Sequence, residues 1–159
     1  MIRITDQYFW NFIFLVFFVA VAVMGIIILE TESRFLEVGI QPIDYILMSL
    51  ATWRLTRFFT FDLITRFFRE QFWDLKKVGR GYELVKPING PRRTIADLLD
   101  CPACTSIWMG STIVFFYLLT AYATIPVVIL AISAVALFLQ NLGMLVSNGS
   151  DYLSRKSKD

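Results

Sequence analysis

Residues 9–29 read FWNFIFLVFFVAVAVMGIIIL and contain no charged side chain. A helix needs about 20 apolar residues to cross a hydrocarbon core that is roughly 30 Å thick. This stretch is long enough to do so, and it is too long for the core of a typical cleaved signal peptide. It therefore predicts a retained membrane-spanning helix and an integral membrane protein.

Three further apolar stretches follow, and only the first of them, which contains Arg54 and Arg57, is interrupted by charge. The chain is 57% hydrophobic and 18% charged, which is more apolar surface than a soluble domain of this length buries. We expect an all-α protein that forms one membrane domain with four transmembrane helices. Their expected positions are residues 9–29, 43–63, 103–121 and 125–146.

Basic residues predict the orientation, because Lys and Arg are retained on the cytoplasmic side of a membrane. The connection between helices 2 and 3 and the two termini are basic, whereas the connection from Glu30 to Pro42 holds only Arg34 beside Glu32 and Glu37. Both termini and the basic loop are therefore expected in the cytoplasm. The basic residues on that side are Arg3, Arg66, Arg69, Lys76, Lys77, Arg80, Lys86, Arg92, Arg93, Arg155, Lys156 and Lys158.

This basic face predicts lipid as the first partner. Anionic headgroups attract such a surface by about 1 kcal/mol per basic residue. Nucleic acid is not expected, since the basic residues are scattered and the aromatic residues are of the kind that face lipid.

The segment at residues 62–77 has apolar and polar residues alternating with a period close to 3.6. Asp62 and Arg66, like Arg66 and Glu70, are spaced to pair along its polar face. We expect an amphipathic helix in the inner interface, and the alternative is a solvated helix packed on its own protein. A cytoplasmic loop at about residues 78–100 follows, with an expected hairpin at Tyr82–Lys86. It also contains an expected short helix at Ile95–Leu99, whose start is marked by the Thr94 hydroxyl and by the Asp97 carboxylate that reaches back to it.

The motif Cys101-Pro102-Ala103-Cys104 stands where the third transmembrane helix begins. Proline suits the first helical position, so Cys101 would be the cap, where the helix dipole lowers a thiol pKa while Asp100 opposes the effect. The pair is open to three interpretations: a redox disulfide, half of a zinc site, or two small apolar packing residues. A zinc site would bridge two protomers, since the chain has no histidine and no third cysteine.

Arg54 and Arg57 are the other unusual pair, because charge inside a membrane is costly. Their spacing places them about 60° apart around the helix. They are candidates to bind an anionic lipid or to line an ion path, or else they snorkel to the headgroups. Gln140 and Asn141 are expected at a similar depth, where they can hydrogen-bond across helices.

Helices 3 and 4 are joined by only a few residues, so an antiparallel hairpin is expected. Ser106 and Gly110 are a pair of small residues four apart that allows close helix packing. The absence of histidine excludes a Ser-His-Asp triad and a histidine-ligated haem. An enzyme is therefore not the favoured hypothesis.

Separated motifs of the chain form one pattern, consisting of LATWRLTR at residues 50–57, Asp62, Arg69-Glu70, LLDCPAC at residues 98–104 and Trp108. This pattern resembles a family of bacterial and phage membrane proteins, domain of unknown function 1360, some of whose members are labelled sporulation-related. The resemblance covers Leu50 to about Leu119. It implies the cytoplasmic membrane of a bacterium, or of a bacterial host if the protein is phage-encoded.

Three functions are compatible with these observations. The first is a non-enzymatic assembly or interaction component that associates with itself or with another membrane protein. The second is a holin-like pore lined by the Arg54, Arg57, Gln140 and Asn141 side chains. The third is a thiol redox or metal-sensing protein that works through Cys101 and Cys104.

Overall fold

The computed structural model describes residues 2–31, 39–78 and 81–156. Glu32, Arg34, Glu37, Arg80 and Lys158, which entered the orientation argument, lie outside this range. The described elements are α1 (Ile2–Thr31), α2 (Pro42–Thr60), a 3-10 turn (Leu63–Thr65), α3 (Arg66–Glu70), β1 (Asp74–Val78), β2 (Gly81–Val85), α4 (Pro91–Asp100), α5 (Pro102–Leu119), a second 3-10 turn (Ala121–Ala123) and α6 (Thr124–Lys156).

Among the described residues, three helical stretches are long and apolar enough to cross a membrane: Gln7–Thr31, Pro102–Leu119 and Ala121–Ser150. The sequence predicted four such spans, and α2 is not among those found. Its 19 residues include Asp44, Arg54 and Arg57, and each intramembrane charge is costly. The fold is thus mostly helical with three apolar helices and one charged helix.

The charged helix α2 lies at the centre of the packing. Its most extensive contacts are with α6 and α5, whereas those two helices touch each other at few positions. Met48 and Ala51 of α2 are buried together with Ile113 of α5 and Val127 of α6. The last two long helices are antiparallel, as expected from their short connection, but each packs mainly on α2.

Contacts along the helices define their relative directions. Early in α2, Asp44 accepts a hydrogen bond of 2.7 Å from the Tyr117 hydroxyl, and later in α2 Thr52 lies against Gly110, so α2 and α5 are antiparallel. Trp108 contacts Phe18 of α1 with ring centroids 4.7 Å apart, and Phe115 packs against Gly25 farther along both helices. Consequently α1 and α5 run in the same direction.

Hydroxyl groups on α2 are bonded within their own helix. Thr52, Thr56 and Thr60 donate to the carbonyl oxygens of Met48, Thr52 and Thr56 at 2.7, 2.8 and 2.8 Å. A hydroxyl bonded in this way does not remain unsatisfied in apolar surroundings. The two threonines of the LATWRLTR motif and Thr60 at the end of α2 are thereby accommodated within the bundle.

A polar network joins the end of α2 to α6. Arg54 donates to Asp62 at 2.8 Å and to the Ser133 hydroxyl at 2.9 Å. The Thr65 hydroxyl donates to the carbonyls of Phe58 and Asp62, which holds the turn after α2. The expected ion pair of Asp62 with Arg66 does not form, since Asp62 is engaged by Arg54, whereas Arg66 pairs with Glu70 at 2.5 Å as expected.

The predicted interfacial helix at residues 62–77 is shorter than expected. Its helical part ends at Glu70, and the antiparallel strands β1 and β2 follow, with Asp74 paired to Val85 and Val78 to Gly81. Arg92 donates to the carbonyls of Gln71 and Trp73 and to the Asp74 carboxylate. Because these contacts are distant in sequence, the local periodicity did not reveal them.

Helix α4 also begins earlier than expected. It starts at Pro91, directly after Gly90, whose φ of 96° favours glycine. Thr94 is therefore inside the helix and does not cap it, and its hydroxyl interacts with Gln7 and Asn11 of α1 at 2.9 and 3.0 Å. At the other end of the chain, α6 extends to Lys156, beyond the expected end at residue 146.

We predict that Arg54→Met lowers the stability of the purified protein by about 1–3 kcal/mol, because the half-buried Asp62 carboxylate loses its partner. Thermal unfolding in mild detergent measures the effect. The double variant Arg54→Met/Asp62→Asn should recover part of the loss. Arg66→Gln is the matched control, since its exposed pair with Glu70 should contribute less than about 1 kcal/mol. Equal losses in Arg54→Met and Arg66→Gln would contradict the importance of this network.

Candidate functional site

The cysteine pair lies at the corner where α4 meets α5. Cys101 and Cys104 form a disulfide with their Cα atoms 5.3 Å apart. Pro102 occupies the first turn of α5, and Cys101 is its N-cap, with the sulfur accepting from the Cys104 amide at 3.3 Å. Cys101 is half-buried and Cys104 is exposed. The predicted N-cap is therefore present, and Cys104 is the more exposed of the two cysteines.

Thr105 holds this corner together. Its side chain is 1% exposed, and its hydroxyl donates to the Leu98 carbonyl of α4 at 2.7 Å. Its amide donates to the Cys101 carbonyl at 2.9 Å. The two helices are thus linked across the disulfide by a residue that the sequence analysis did not single out.

The β1–β2 hairpin, α4 and the segment that joins them, which includes Lys86, are called the cap below. Acidic and basic side chains surround the corner on the side of the cap. Lys86 binds Asp97 at 3.0 Å and Asp100 at 2.5 Å. Arg93 binds Asp97 at 2.8 Å, and the Lys86 ammonium lies 5.6 Å from the centre of the Trp73 ring. The charge of Asp100, which directly precedes Cys101, is therefore offset by Lys86.

Burial and charge act in opposite directions on these groups. Burial alone would lower the pKa of Lys86, but the hydrogen bonds and charges of Asp100 and Asp97 outweigh it and raise that pKa above its ordinary value. Burial likewise opposes ionisation of Asp97, yet Arg93 and Lys86 lower its pKa below the ordinary value. Both groups are therefore held in their charged forms.

A metal site needs more ligands than the corner supplies. In the described part of the chain, no group of three or more His, Cys, Asp or Glu side chains is placed to hold a metal ion. A zinc ion bound by Cys101 and Cys104 would require reduction of the disulfide and further ligands from a second chain. While that disulfide is closed, its two sulfurs are not available as thiolate ligands for zinc.

Two cavities flank the corner. A groove of about 760 Å³ between α2 and α5 is lined by Pro102 and Ala103 at one end. A smaller cavity of about 370 Å³, between α1, α4 and α5, is lined by Cys104, Trp108 and Asn11. Both lie beside the first turn of α5, so the disulfide stands between them.

Arg54 and Arg57 are separated by their environments. Arg54 is directed to α6 and is engaged there by Ser133 and by Asp62. Arg57 instead lines the groove, with its guanidinium carbon 5.8 Å from the Trp53 ring centre and 5.5 Å from that of Phe61. Only one of the two arginines therefore has a carboxylate partner in the described residues.

The residues expected at helix contacts take different positions. A Cβ atom on Gly110 would meet the Thr52 side chain of α2 at 3.4 Å, and the Ser106 hydroxyl bonds to the Ala103 carbonyl of its own helix. Gln140 is exposed and Asn141 is half-buried. The side chains of Gln140 and Asn141 have no hydrogen-bond partner among residues 2–31, 39–78 and 81–156.

Several residues of the site were not found from the sequence. Lys86, Thr105 and Ser133 carry no local signal, because their partners are far away along the chain. Gln7 and Asn11 did have a local signal in the sequence, because they are two polar residues spaced four apart near the start of an otherwise apolar helix. They bond to Thr94 and thereby attach α1 to α4.

We predict that the cap is most stable between mildly acidic and mildly alkaline pH. Asp97 has a lowered pKa, so its contribution is present above the ordinary value of 3.8 and is lost as the pH falls through the folded value. Lys86 has a raised pKa, so its contribution is present below 10.5 and is lost as the pH rises through the folded value.

Comparison of the variants Lys86→Gln and Lys77→Gln tests this prediction by thermal unfolding from about pH 2.5 to pH 11.5. Between the pH at which Asp97 becomes protonated and the pH at which Lys86 loses its proton, the wild type should have the larger free energy of unfolding. The difference from Lys86→Gln should be about 0.2–1 kcal/mol for each lost ion pair, since the groups are partly exposed. The difference should shrink beyond both limits. Lys77 is exposed in β1 and serves as the control, and a difference that is independent of pH would refute the assignment.

Comparison of the sequence with known proteins gives one curated relative and one family model. The UPF0713 protein YngL of Bacillus subtilis (strain 168) is 30% identical over 99 residues, which cover 62% of this chain and 76% of the relative. No solved structure matches this chain.

The family model described as protein of unknown function DUF1360 matches residues 47–142. This range includes α2 from residue 47 onward, the cap, the cysteine corner and α6 as far as residue 142, and it leaves out α1. It confirms the resemblance and extends it beyond Leu119. The chain therefore belongs to the DUF1360 family.

Proposed function

We propose that the protein crosses the cytoplasmic membrane of a bacterium, or of a bacterial host, four times, with both termini and the cap in the cytoplasm. The 19 residues of α2 give a helix of about 28 Å, close to the hydrocarbon thickness. The packing of α5 and α6 around α2 leaves the Arg54 side chain only 19% exposed. The antiparallel arrangement of α2 and α5, the basic cap and a relative in Bacillus subtilis support this topology.

We further propose that the protein is a thiol-disulfide redox protein or sensor, and the observation that carries this proposal is the accessible Cys101–Cys104 disulfide. In the proposed topology this disulfide faces the cytoplasm. Cytosolic disulfides are usually transient and either catalytic or redox-sensing, because cellular thiols keep most cysteines reduced. A permanent structural disulfide is therefore the less favourable interpretation at this position.

The exposure of the two cysteines indicates which of them a partner thiolate attacks, because Cys104 is exposed and Cys101 is half-buried. The thiolate of a partner dithiol attacks the exposed Cys104 sulfur, the disulfide bond breaks, and Cys101 leaves as a thiolate at the N-cap. The second thiol of the partner then attacks the mixed disulfide and releases Cys104, so that the partner becomes a disulfide. Two electrons pass from the partner to the Cys101–Cys104 pair. The proton of the partner's second thiol goes to Cys104, and the proton that the attacking thiol released on ionisation returns from water to Cys101 when its thiolate is protonated.

The surroundings of Cys101 stabilise it as the leaving group. It lies at the positive end of the α5 dipole. Asp100 would oppose a thiolate, but Lys86 binds Asp100. The reduced state therefore gains electrostatic stabilisation from the backbone of α5 and from the cap.

We predict that the pair has a midpoint potential between roughly −270 and −120 mV, the range of thiol oxidoreductases. Equilibration of the full-length protein in glutathione or dithiothreitol buffers, followed by alkylation and mass spectrometry, measures it. A value below about −300 mV would identify a structural disulfide and overturn the proposal. Lys86→Gln should shift the potential by about 10–20 mV to more negative values, as expected for loss of one exposed ion pair, whereas the control Lys77→Gln should not.

The pore hypothesis requires Arg54, Arg57, Gln140 and Asn141 to face one lumen. Arg54 is held between Asp62 and Ser133 inside the bundle, and Arg57 lines a groove with α5. These contacts direct the two arginines to different neighbours. Pore formation stays a prediction that the packing does not favour.

Self-association is a second candidate function, and the length of α6 favours it. The apolar stretch Ala121–Ser150 begins in the second 3-10 turn and continues through most of α6. It has 30 residues, about ten more than a membrane crossing needs. The final apolar side chains are largely uncovered, with Leu145 69% and Val146 71% exposed. We propose that this extension contacts a second copy of the chain, which would cover apolar surface beyond the hydrocarbon core.

We predict that Val146→Cys gives a crosslinked dimer with a short bis-maleimide in native membranes, in a background where Cys101 and Cys104 are replaced by serine. Leu15→Cys is the matched control, because Leu15 of α1 is also apolar and is 58% exposed. A monomer from both variants, or equal crosslinking of both, would contradict association through α6.

A further inference from the structure

The groove between α2 and α5 is a cavity that the redox proposal does not use. It extends from Tyr45 to Phe61 along α2, a distance of about 24 Å at 1.5 Å per residue. Its volume is about 760 Å³, and its walls are mostly apolar, with Met48, Val114 and Leu118 along its length. A cleft of this form suits one hydrocarbon chain.

One end of the groove is positively charged. Arg57 lines it there, next to Pro102 and Ala103 in the first turn of α5. The N-terminus of a helix carries a partial positive charge, and it adds to the charge of the guanidinium. The groove is therefore apolar along its length and cationic at the end beside the cap.

Arg57 lacks an anionic partner in the described part of the chain. No carboxylate there lies within ion-pair distance of its guanidinium, and its buried Nε has no hydrogen-bond partner. The rings of Trp53 and Phe61 attract the cation through their faces. Aromatic rings do not accept the several N–H donors of a guanidinium as a phosphate does.

We infer that this groove binds one anionic phospholipid of the surrounding bilayer, with the phosphate at Arg57 and an acyl chain between α2 and α5. Charge complementarity selects an anionic headgroup, because Arg57 is the only charged side chain among the described residues that line the groove, and it lies at the end beside the cap. The apolar walls select a chain-bearing molecule rather than a free anion. Trp53, which is 37% exposed, is typical of the headgroup level where this contact would form.

The comparison of Arg57 with Arg54 supports the assignment. Both are on α2 and three residues apart, but Arg54 is neutralised by Asp62 at 2.8 Å. Of these two arginines, Arg54 already has a carboxylate partner, whereas the charge of Arg57 is left for an anion from outside the described residues. The lipid site is assigned to Arg57 alone.

Native mass spectrometry of the full-length protein in nonionic detergent tests this inference, with dioleoyl phosphatidylglycerol and dioleoyl phosphatidylcholine as probes. We expect the wild type to retain the anionic lipid over the zwitterionic one. Arg57→Gln should lower that ratio by about ten-fold, as expected for loss of a charge-assisted contact. Lys76→Gln removes an exposed cation of β1 and should leave the ratio close to that of the wild type.

A second variant tests the groove without changing its charge. Ser49 is exposed and lines the groove, so Ser49→Trp should block the acyl chain and reduce retention of both lipids. Arg57→Lys keeps the charge and should keep most of the preference for the anionic lipid. These two variants decide the matter if Arg57→Gln does not fold, as judged by circular dichroism and gel filtration.

Each remaining outcome would overturn the inference. Equal retention of the two lipids by the wild type would exclude an anion-selective site. Equal effects of Arg57→Gln and Lys76→Gln would assign the preference to the basic surface in general. Undiminished binding in Ser49→Trp, or displacement of the lipid by glycerol 1-phosphate at equal concentration, would exclude the groove as the place of the chain.

Discussion

The pairing of charges on α2 is the constraint on which the arrangement of the helices depends. An unpaired charge in an apolar environment is costly, so Asp44 and Arg54 need partners from neighbouring elements. Tyr117 of α5 meets Asp44, while Ser133 of α6 and Asp62 meet Arg54. Both sets of contacts are made with α2 lying between α5 and α6. The outer faces of these two helices are consequently left to face their surroundings.

The same principle explains how the cap positions the cysteine corner. Lys86 is bound by Asp97 and Asp100, and Thr105 ties the start of α5 to the Leu98 carbonyl of α4. A short helix followed at once by a long one would otherwise be free to pivot at Cys101. The buried hydroxyl and the ion pairs fix that angle, and they place one cysteine on the surface beside a cavity lined by α1.

Features that depend on neighbouring residues were accessible to sequence reasoning. The apolar stretch of α1 predicted a helix long enough to span a membrane. Pro102 predicted the start of α5, and Cys101 was expected at the N-cap position of that helix. The spacing of Arg66 and Glu70 predicted their ion pair correctly. In each case the interaction spans a single turn, so local geometry alone decides it.

Features that depend on contacts between residues far apart in the chain were not predicted from the sequence. The helical periodicity of residues 62–77 predicted one helix, but Arg92 and the pairing of β1 with β2 end that helix at Glu70. The sequence by itself determined apolar helices long enough to cross a membrane, a connecting segment rich in basic residues and a cysteine pair at a helix start. Only the tertiary structure decided that α2 is central, that Arg54 is paired, and that Arg57 lines a groove. The physical reason is that the partner of a charge is chosen by helix packing in space, which one-dimensional spacing does not specify.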